Sequence, residues 1–313
     1  MKKALVLGAS GGMGYSIVNE LTDRGIEVVA FARRKDRLMQ LFHQNNLVTV
    51  KEGDLRKKED VISAAKGADV IFHSANIPYS QWEEDLAQIV RHIVEAAKVQ
   101  SAKLAVVDNI YAYGRKPNEL VTENAPKNPH TKKGKIRLQL EQIYQASHVP
   151  TIIAHFPDFY GPNASNTLLH YTFEKVVKNK NTGIIGNKNI AREFIYTPDG
   201  AKAIVELALT DKAYNQNWNI PGYGVITGEE IITILRQTVN YHRKVSTVTK
   251  AMIQFLGLFS KDMREVVEMF YLSEEPVVLS GEKYENEIGK IPKTPYKEGI
   301  KETIEYMRRK NNR

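Results

Sequence analysis

The amino-acid sequence predicts an α/β protein built on a doubly wound parallel sheet, followed by a smaller, mostly helical C-terminal lobe. Two observations support this prediction. Short apolar runs alternate with longer amphipathic stretches through the first half of the 313-residue chain, a pattern typical of βαβ units. Each short run is almost continuously apolar, as expected of strands that helices cover on both faces. With 42% hydrophobic residues, the chain can form a large buried core.

The apolar runs of the first half define six predicted strands, at 4–7, 27–31, 47–50, 69–73, 103–107 and 151–155. The amphipathic stretches between them are predicted as helices, at 13–23, 35–44, 58–66, 81–99 and 133–147. Strands and helices that alternate in this rhythm form a sheet with helices on both sides.

The alternation loosens after Pro157, in a stretch rich in Gly and Asn that encloses a predicted helix near 167–178. A strand and a helix return at 193–209, and 218–220 is predicted as a further strand of the same sheet. From Thr227 onward the chain is predicted to be mostly helical. We therefore expect a core of residues 1–160, to which 193–221 return, and a lobe of residues 161–192 and 222–313.

Two apolar segments of the predicted lobe, 252–259 and 266–272, are open to two interpretations. Each is either ordinary core or a surface that faces a partner. The sequence also leaves open whether the protein is a homo-oligomer.

The composition excludes several classes of protein. The chain has no cysteine, so disulfides and Cys-based zinc sites are excluded, and a reducing cytoplasm is the expected location. No apolar run approaches the roughly 20 residues that cross a bilayer, so no membrane partner is expected. The net charge of +8 is scattered and indicates a solvated basic surface rather than nucleic-acid binding. No His, Asp or Glu cluster has the spacing of metal ligands, so no metal is expected.

A glycine-rich turn directly follows the first predicted strand and precedes the first predicted helix. Gly8, Gly11 and Gly14 are spaced by three residues, with Ser10, Gly12 and Met13 between them. The first glycine permits a tight turn, the second lets the backbone approach a pyrophosphate, and the third allows the helix to pack closely on the strand. The free N–H groups of the helix start then favour the anion. This turn predicts a Rossmann-type site for a dinucleotide.

The end of the second strand indicates which dinucleotide binds. A site for NAD places an acidic residue there to bond the ribose 2′-hydroxyl. Here Ala32 takes that place, and Arg33 and Arg34 follow it. Guanidinium groups bind a phosphate by charge-assisted, often bidentate hydrogen bonds, so the sequence favours NADP(H) over NAD. The alternative is that the two arginines only begin a solvated helix.

With this turn in place, the chain resembles the short-chain dehydrogenase/reductase superfamily, in its extended, epimerase/dehydratase-like branch. Further segments that carry the resemblance follow in order: Gly53-Asp54-Leu55, Phe72-His-Ser-Ala-Asn76, Tyr113-Gly114, Phe159-Tyr160-Gly161-Pro162, and the stretch from Glu193 to Ala201. The resemblance implies that Asp54 and Leu55 lie near the adenine. It also implies that Ser74, Ala75 and Asn76 lie beside the cofactor.

The catalytic motif of that superfamily is degenerate in this chain. The resemblance implies a serine or threonine after the fifth strand and a Tyr-x-x-x-Lys on the following helix. The first position falls on Asn109, and the best match to the second is Thr131-Lys-Lys-Gly-Lys135, which keeps the lysine expected to hold the nicotinamide ribose. A threonine hydroxyl cannot replace a phenol as a proton donor at neutral pH. The candidate catalytic residues are Asn109, Tyr111, Thr131 and Lys135.

The group that replaces the missing phenol is left open. Tyr111 is preferred, because it is two residues from Asn109 and so lies on the same side of an extended strand end. Tyr113, Tyr160 and His130 are the other candidates. His73, which ends an apolar strand, is interpreted as a histidine at the edge of the core.

Two functions remain open on this basis. The first is an NADP-dependent oxidoreductase, or an epimerase-like enzyme that uses the cofactor transiently, acting on a small carbonyl or hydroxyl compound. Its substrate would lie over the carboxyl ends of the strands and be closed over by the C-terminal lobe. The second is a catalytically silent protein that senses NADP(H) and signals to a partner.

Overall fold

A computed structural model of the protein describes residues 1–311. The strands of this part of the chain are β1 Lys3–Leu7, β2 Glu27–Ala32, β3 Val48–Glu52, β4 Val70–His73, β5 Lys103–Asn109, β6 Leu120–Val121, β7 Thr151–Phe156, β8 Asp158–Tyr160, β9 Thr182–Ile185, β10 Arg192–Tyr196, β11 Gln216–Asn219, β12 Val225–Ile226, β13 Val245–Val248 and β14 Val278–Leu279. The helices are α1 Gly12–Asp23, α2 Lys35–Phe42, α3 Lys58–Ala64, α4 Trp82–Gln100, α5 Lys132–Ala146, α6 Leu168–Val177, α7 Thr197–Leu209, α8 Gly228–Val239, α9 Lys250–Gly257, α10 Lys261–Val266, α11 Glu282–Glu287 and α12 Tyr296–Asn311.

Seven strands form the central sheet, in the order β11-β7-β5-β4-β1-β2-β3. Every neighbouring pair is parallel. The chain therefore starts in the middle of the sheet and winds outward to both edges, which confirms the predicted Rossmann-type α/β class. Leu7 at the end of β1 is in register with Phe31 of β2 and with His73 of β4. The loops that follow these strands consequently meet at one edge of the sheet.

The two faces of the sheet are buried under different helices, and the side chains of β1 show the alternation. Leu5 and Leu7 point to one side, into a cluster with residues of α4 and α5 such as Ile93 and Leu140. Ala4 and Val6 point to the other side, into a cluster with residues of α1 and α7 such as Ile17 and Ile204. Successive residues of a strand face opposite sides, so a strand that helices cover twice needs apolar residues at every position.

Threonine side chains fix the start of several helices. The hydroxyl of Thr131 accepts a hydrogen bond from the Gly134 N–H at the start of α5. Thr167, Thr227 and Thr249 make the same bond at the starts of α6, α8 and α9. Each bond satisfies one of the N–H groups that a helix start leaves without a partner.

The short strands of the second half were not visible as sequence patterns. Apart from β10 and β11, they span two to four residues and form small sheets, in which β8 pairs with β10 and β9 pairs with β13. Strands of this length carry too few side chains for an alternation to show. The predicted elements of the main sheet and its helices, in contrast, agree with the structure to within two residues at each end.

The two apolar segments of the C-terminal lobe have different surroundings. In the second segment, Met269, Phe270 and Tyr271 are buried. In the first, Phe255 is 62% exposed and Phe259 is 79% exposed. The second segment is therefore core and the first is not. Among residues 1–311, we find no helix with the length and apolar character required to span a bilayer.

Candidate active site

The glycine turn after β1 is closed by contacts that leave no room for a side chain. The Gly8 N–H donates to the Phe31 carbonyl at 3.0 Å, and Gly8 has a φ of +84°. A β-carbon on Gly8 would lie 2.6 Å from the Ala75 Cα, and one on Gly14 would lie 2.2 Å from the Gly8 carbonyl oxygen. At Gly11 the nearest atom would be 3.4 Å away. Gly8 and Gly14 thus shape the turn, while Gly11 leaves its outer surface open.

The start of α1 provides donors for an anion at this turn. The helix begins at Gly12, and its first N–H groups donate no hydrogen bond to a capping side chain. The dipole of a helix favours negative charge at this end. The diphosphate of a dinucleotide fits this arrangement, because the glycines leave space for it and the helix start supplies free donors.

The loop after β8 covers the same turn. The Asn163 amide donates to the Ser10 carbonyl at 2.9 Å, and its oxygen accepts a hydrogen bond from Arg37. A β-carbon on Gly12 would lie 2.6 Å from the Ala164 Cα. Met13 is buried beneath the turn. The glycine turn after β1 is therefore contacted by residues from both halves of the chain.

The residues predicted to face the adenosine end lie at the ends of β2 and β3. Arg33 and Arg34 are exposed, and neither forms an ion pair with another residue among 1–311. The Asp54 carboxylate forms a hydrogen bond within its own loop, where it accepts the Arg56 N–H at 3.0 Å. The Leu55 carbonyl lies 2.9 Å from a ring nitrogen of His92.

The segment after β4 runs beside the glycine turn, as expected. The Ser74 hydroxyl donates to the Leu7 carbonyl at 2.8 Å, and Ala75 forms the close contact with Gly8. The Asn76 oxygen lies 3.4 Å from Arg137 Nη2. His73 itself is buried with Nδ1 2.5 Å from the Tyr144 hydroxyl, and burial together with the Arg137 charge lowers its pKa to about 3. This histidine is neutral and belongs to the core, as interpreted from the sequence.

Two phenols and an amide meet above the ends of β4 and β5. The Asn109 side-chain oxygen accepts the Tyr111 N–H at 3.0 Å, which fixes the amide and leaves its NH₂ group as a donor for a ligand. The Tyr111 hydroxyl lies 2.6 Å from the Tyr79 hydroxyl. Burial raises the pKa of Tyr79 to about 12 and that of Tyr111 well above its usual value. Both phenols are therefore protonated at neutral pH.

One face of α5 lies toward the strand ends. Its side chains are not the predicted Thr131 and Lys135. Thr131 caps the helix, and Lys135 lies on its exposed side. Lys133 and Arg137, four residues apart, are buried instead. Residues four apart share one face of a helix, whereas residue 135 points away from that face. The structure thus brings Lys133 and Arg137 to the site, together with Asn109 and Tyr111, and does not bring Lys135.

A sequence signal for Lys133 and Arg137 does exist. These two positions continue the buried stripe of Leu140 and Tyr144, at spacings of four, three and four residues. Sequence reasoning overlooked this signal because it aligned the Tyr-x-x-x-Lys motif on its lysine, which selected Lys135.

The charges of Lys133 and Arg137 are compensated by carboxylates from two directions. Lys133 Nζ lies 2.9 Å from Glu268 Oε1 and also pairs with Glu265. Arg137 Nη1 lies 3.4 Å from Asp108 Oδ1, its guanidinium lies 4.3 Å from the centre of the Trp82 ring, and its Nε has no hydrogen-bond partner among the described residues. Arg137 is thus a buried cation with a donor to spare.

A second group of charges lies beneath the site. Ligand-type atoms of Asp108, Glu141 and His155 lie within 4.8 Å of one another. Sequence spacing does not reveal this cluster, because its members come from β5, α5 and β7. Lys127 pairs with Glu141 and lies 3.2 Å from His155, while Arg137 faces Asp108. Two cations thus balance the two carboxylates, so the cluster requires no metal for charge balance.

The segment formed by α10 and the turn after it lies over this site. Besides Lys133 Nζ, Glu268 accepts the Lys132 and Lys133 N–H groups, at 2.8 and 3.2 Å. Asp262 accepts the Ser80 N–H at 3.3 Å. The C-terminal part of the chain therefore contacts the loops after β4 and the start of α5.

The remaining candidates for a proton donor serve in packing. The Tyr113 hydroxyl donates to Asn219 Oδ1 at 2.8 Å, and the side chain is fully buried. The Tyr160 ring packs against the rings of Tyr196 and Tyr296, with centroids 5.5 and 5.8 Å away. His130 is exposed, with its ring 4.6 Å from that of Tyr271.

The parallel sheet, the glycine turn and the open start of α1 define a Rossmann protein that binds a nucleotide at the carboxyl ends of its strands. The chain belongs to the NAD dependent epimerase/dehydratase family, whose family model matches residues 4–220. This confirms the resemblance noted from the sequence, to the extended branch of the short-chain dehydrogenase/reductases.

Relatives and solved structures agree with this assignment. The chain is 27% identical, over 70% of its length and 77% of the relative, to an uncharacterized UDP-glucose epimerase, YtcB, of Bacillus subtilis. It is 24% identical to a putative UDP-glucose 4-epimerase of Methanocaldococcus jannaschii, over 98% of this chain and 99% of that one.

Among solved structures, the fold is similar to that of DesIV, a dTDP-glucose 4,6-dehydratase of Streptomyces venezuelae determined with NAD bound. The TM-score is 0.82 at 18% identity, over 99% of this chain and 98% of that one. A UDP-glucuronic acid 4-epimerase of Bacillus cereus in complex with NAD has a TM-score of 0.79, at 18% identity over 98% and 99% of the two chains.

Proposed function

We propose that this protein is an NADP(H)-dependent oxidoreductase, or an epimerase-like enzyme, that acts on a small carbonyl or hydroxyl compound. The observation that carries the proposal is the buried pair Lys133 and Arg137 at the strand ends. Arg137 contacts Asp108 and Asn76, and Lys133 lies over the Tyr79 ring. Lysine and arginine are rarely buried unless they are paired, and the chain supplies carboxylates that pair with both of these cations. A nicotinamide cofactor, when bound, supplies or accepts the hydride.

The residues of the site divide the remaining work. Lys133, rather than Thr131, acts as the proton donor, and its ammonium polarises the substrate oxygen and supplies the proton. Arg137, one helical turn further, holds the ribose in place of Lys135 through its guanidinium, whose buried Nε has no partner among the described residues. The Asn109 NH₂ group orients the substrate oxygen. Tyr111 and Tyr79, as protonated phenols, donate hydrogen bonds to the substrate.

The preference for NADP(H) rests on the end of β2. Ala32 provides no carboxylate for a ribose 2′-hydroxyl, and Arg33 and Arg34 are exposed there. An exposed guanidinium can turn toward a 2′-phosphate at little cost. The solved relatives named above were determined with NAD, so the choice between the cofactors must be measured. A cytoplasmic location, which the lack of cysteine favours, is part of the same proposal.

Nucleotide sugars are the first substrates to test, because the two relatives described above are named as UDP-glucose epimerases. The assay uses a panel of nucleotide sugars, aldehydes and ketones. We expect either oxidation of NADPH or interconversion of isomers, which chromatography detects. Lys133→Ala should lower kcat at least about a hundredfold. Lys135→Ala, two residues away on the exposed side of α5, is the control, because the sequence motif places the functional lysine at 135 whereas the proposed function assigns it to 133. If Lys135→Ala lowered kcat as much as Lys133→Ala or more, Lys135 would be the functional lysine.

The alternative function, a silent sensor of NADP(H), is favoured by one observation. Lys133 is already neutralised by Glu265 and Glu268, as in a structural ion pair. A protein that binds NADPH tightly, turns over no member of the panel and retains its affinity in Lys133→Ala would fit this alternative and contradict the enzyme.

A further inference from the structure

An exposed apolar surface lies on α9 and the turn after it. We call it the apolar patch and define it by its five residues: Met252, Phe255, Leu256, Leu258 and Phe259. Their exposed fractions range from 49% to 79%. Single exposed apolar residues are common, but five within eight positions mark a surface that contacts something.

The opposite side of α9 explains why these residues are outside. Ile253 is buried against Val248 and Phe270, and so anchors the helix to the lobe. Gly257 is also buried, and a β-carbon there would lie 3.1 Å from the Arg264 Cα. The helix thus has a complete inner contact that uses its small and branched residues. The patch is a second apolar face, which packing within the chain does not require.

The stretch of sequence that contains the patch carries charge of one sign up to Lys261, after which the exposed Asp262 follows. Residues 231–261 contain five cationic side chains and no carboxylate: Arg236, Arg243, Lys244, Lys250 and Lys261. All five are exposed. Among residues 1–311, none of the five takes part in an ion pair. Lys250 and Lys261 directly bracket the patch, at the first residues of α9 and α10.

We propose that the apolar patch docks the protein onto the surface of a bilayer that contains anionic phospholipids. Exposed Phe and Leu side chains enter the boundary between head groups and acyl chains, and flanking lysines bind the acidic head groups. Such a contact lies in the plane of the interface and needs no spanning segment, so it is compatible with the finding that no helix among residues 1–311 is long and apolar enough to cross a bilayer. It goes beyond the proposed function, which neither requires nor predicts it.

The same charge argues against a second copy of the chain as the occupant. A two-fold dimer through the patch would bring the cations of one copy against those of the other. Like charges brought together in an interface oppose association, whereas a surface of anionic head groups attracts all of them.

Flotation of the full chain with lipid vesicles tests this proposal. We expect binding to phosphatidylcholine vesicles that contain phosphatidylglycerol and little binding to pure phosphatidylcholine, with a loss at high NaCl. The double variant Phe255→Ser/Phe259→Ser should bind at least about tenfold more weakly. Lys250→Gln/Lys261→Gln should weaken binding to the anionic vesicles in the same direction. Thermal unfolding of both variants should match that of the wild type, because the altered side chains are exposed.

A matched control removes two exposed apolar side chains elsewhere. Val99→Ser/Leu120→Ser changes residues that are 54% and 64% exposed and lie outside the patch, so it should bind vesicles like the wild type. Equal loss in this control, or absence of binding to anionic vesicles, would overturn the proposal. Sedimentation velocity completes the test: a dimer that the Phe255→Ser/Phe259→Ser variant dissociates, without vesicle binding, would show that a second copy covers the patch instead.

Discussion

The Lys133 ammonium lies 2.9 Å from the Glu268 carboxylate, and this ion pair joins the buried face of α5 to the turn after α10. Glu268 also accepts the first N–H groups of α5, so one carboxylate serves both the helix start and its buried cation. The C-terminal segment is therefore tied to the site through charge as well as through apolar packing, in which Leu272 lies against the cluster of Ile110 and Tyr113.

Replacing this carboxylate should destabilise the protein. In Glu268→Gln the buried Lys133 loses half of its compensation, and we expect a loss of about 1–3 kcal/mol in the free energy of unfolding. Urea denaturation followed by circular dichroism measures it. Glu174→Gln, which breaks the exposed pair with Lys178, is the control and should cost less than about 0.5 kcal/mol. Equal losses in the two variants would show that Lys133 does not depend on Glu268.

Two glycines with similar backbone angles separate the steric role of the cofactor turn from a general glycine effect. Gly8 has a φ of +84° and Gly25 a φ of +75°, so alanine costs about 1–2 kcal/mol at either position. A β-carbon on Gly8 also strikes Ala75 at 2.6 Å, whereas one on Gly25 meets nothing within 4 Å. Gly8→Ala should therefore be the less stable variant and should lose NADPH binding in a fluorescence titration. Gly25→Ala should keep the wild-type affinity for NADPH. Weak NADPH binding by both variants would show that the loss does not depend on the shape of the glycine turn.

The arginines after β2 should determine the choice of cofactor. Arg33→Ala/Arg34→Ala should weaken NADPH binding by a factor of about ten to a hundred, since charge-assisted hydrogen bonds to a phosphate are lost. NADH binding should change less than about threefold. Isothermal titration with both cofactors gives the two affinities. Equal losses would mean that neither arginine reaches the 2′-phosphate, and tighter NADH than NADPH binding by the wild type would make NAD the cofactor.

Glu193 should make stability depend on pH. Its carboxylate accepts the Gly222 and Leu279 N–H groups, and burial raises its pKa from about 4.5 to about 7. A raised pKa in the folded state means that the folded protein binds the proton more tightly. The contribution of Glu193 to stability is thus complete below pH 4.5 and is lost as the pH rises through 7, by up to about 3 kcal/mol.

The variant Glu193→Gln isolates this effect. The two N–H groups bond different oxygens of Glu193, so an amide can accept only one of them and turns its NH₂ group toward the other. The variant should therefore be less stable overall but, because it does not ionise, should lose the fall in stability between about pH 5 and pH 7. Urea denaturation across this range compares the two proteins. Parallel pH profiles would show that Glu193 titrates at its ordinary pKa.

The sheet and the cofactor turn were predictable because local sequence determines them. Continuous apolar runs define the strands, and the glycine spacing directly after β1 defines the turn without reference to distant residues. The catalytic face of α5 was harder to predict. The motif match placed Lys135 at the site, whereas helical geometry turns Lys133 and Arg137 inward, where Glu268 and Asp108 compensate them from distant parts of the chain. The spacing to Leu140 and Tyr144 marks these two positions as buried, but partners so far away in sequence leave no local pattern that shows the two charges to be compensated.

The two apolar segments of the lobe show the same limit. By composition, 252–259 and 266–272 are equivalent, yet one is mostly exposed and the other mostly buried. The difference depends on which face finds a partner after folding. The charge asymmetry of residues 231–261, in contrast, is visible in the sequence itself and becomes informative once the exposure of α9 is known.

The packing of Ala164 on Gly12 limits how this protein can be recombined with its relatives. A chimera that keeps residues 1–160 and takes the remainder from another family member replaces both Asn163 and Ala164, which hold and cover the nucleotide turn. A larger residue at position 164 would press on the backbone of that turn even though every glycine is retained. Exchange of substrate lobes should therefore use a junction beyond this loop, so that the nucleotide site is transferred with its own cover.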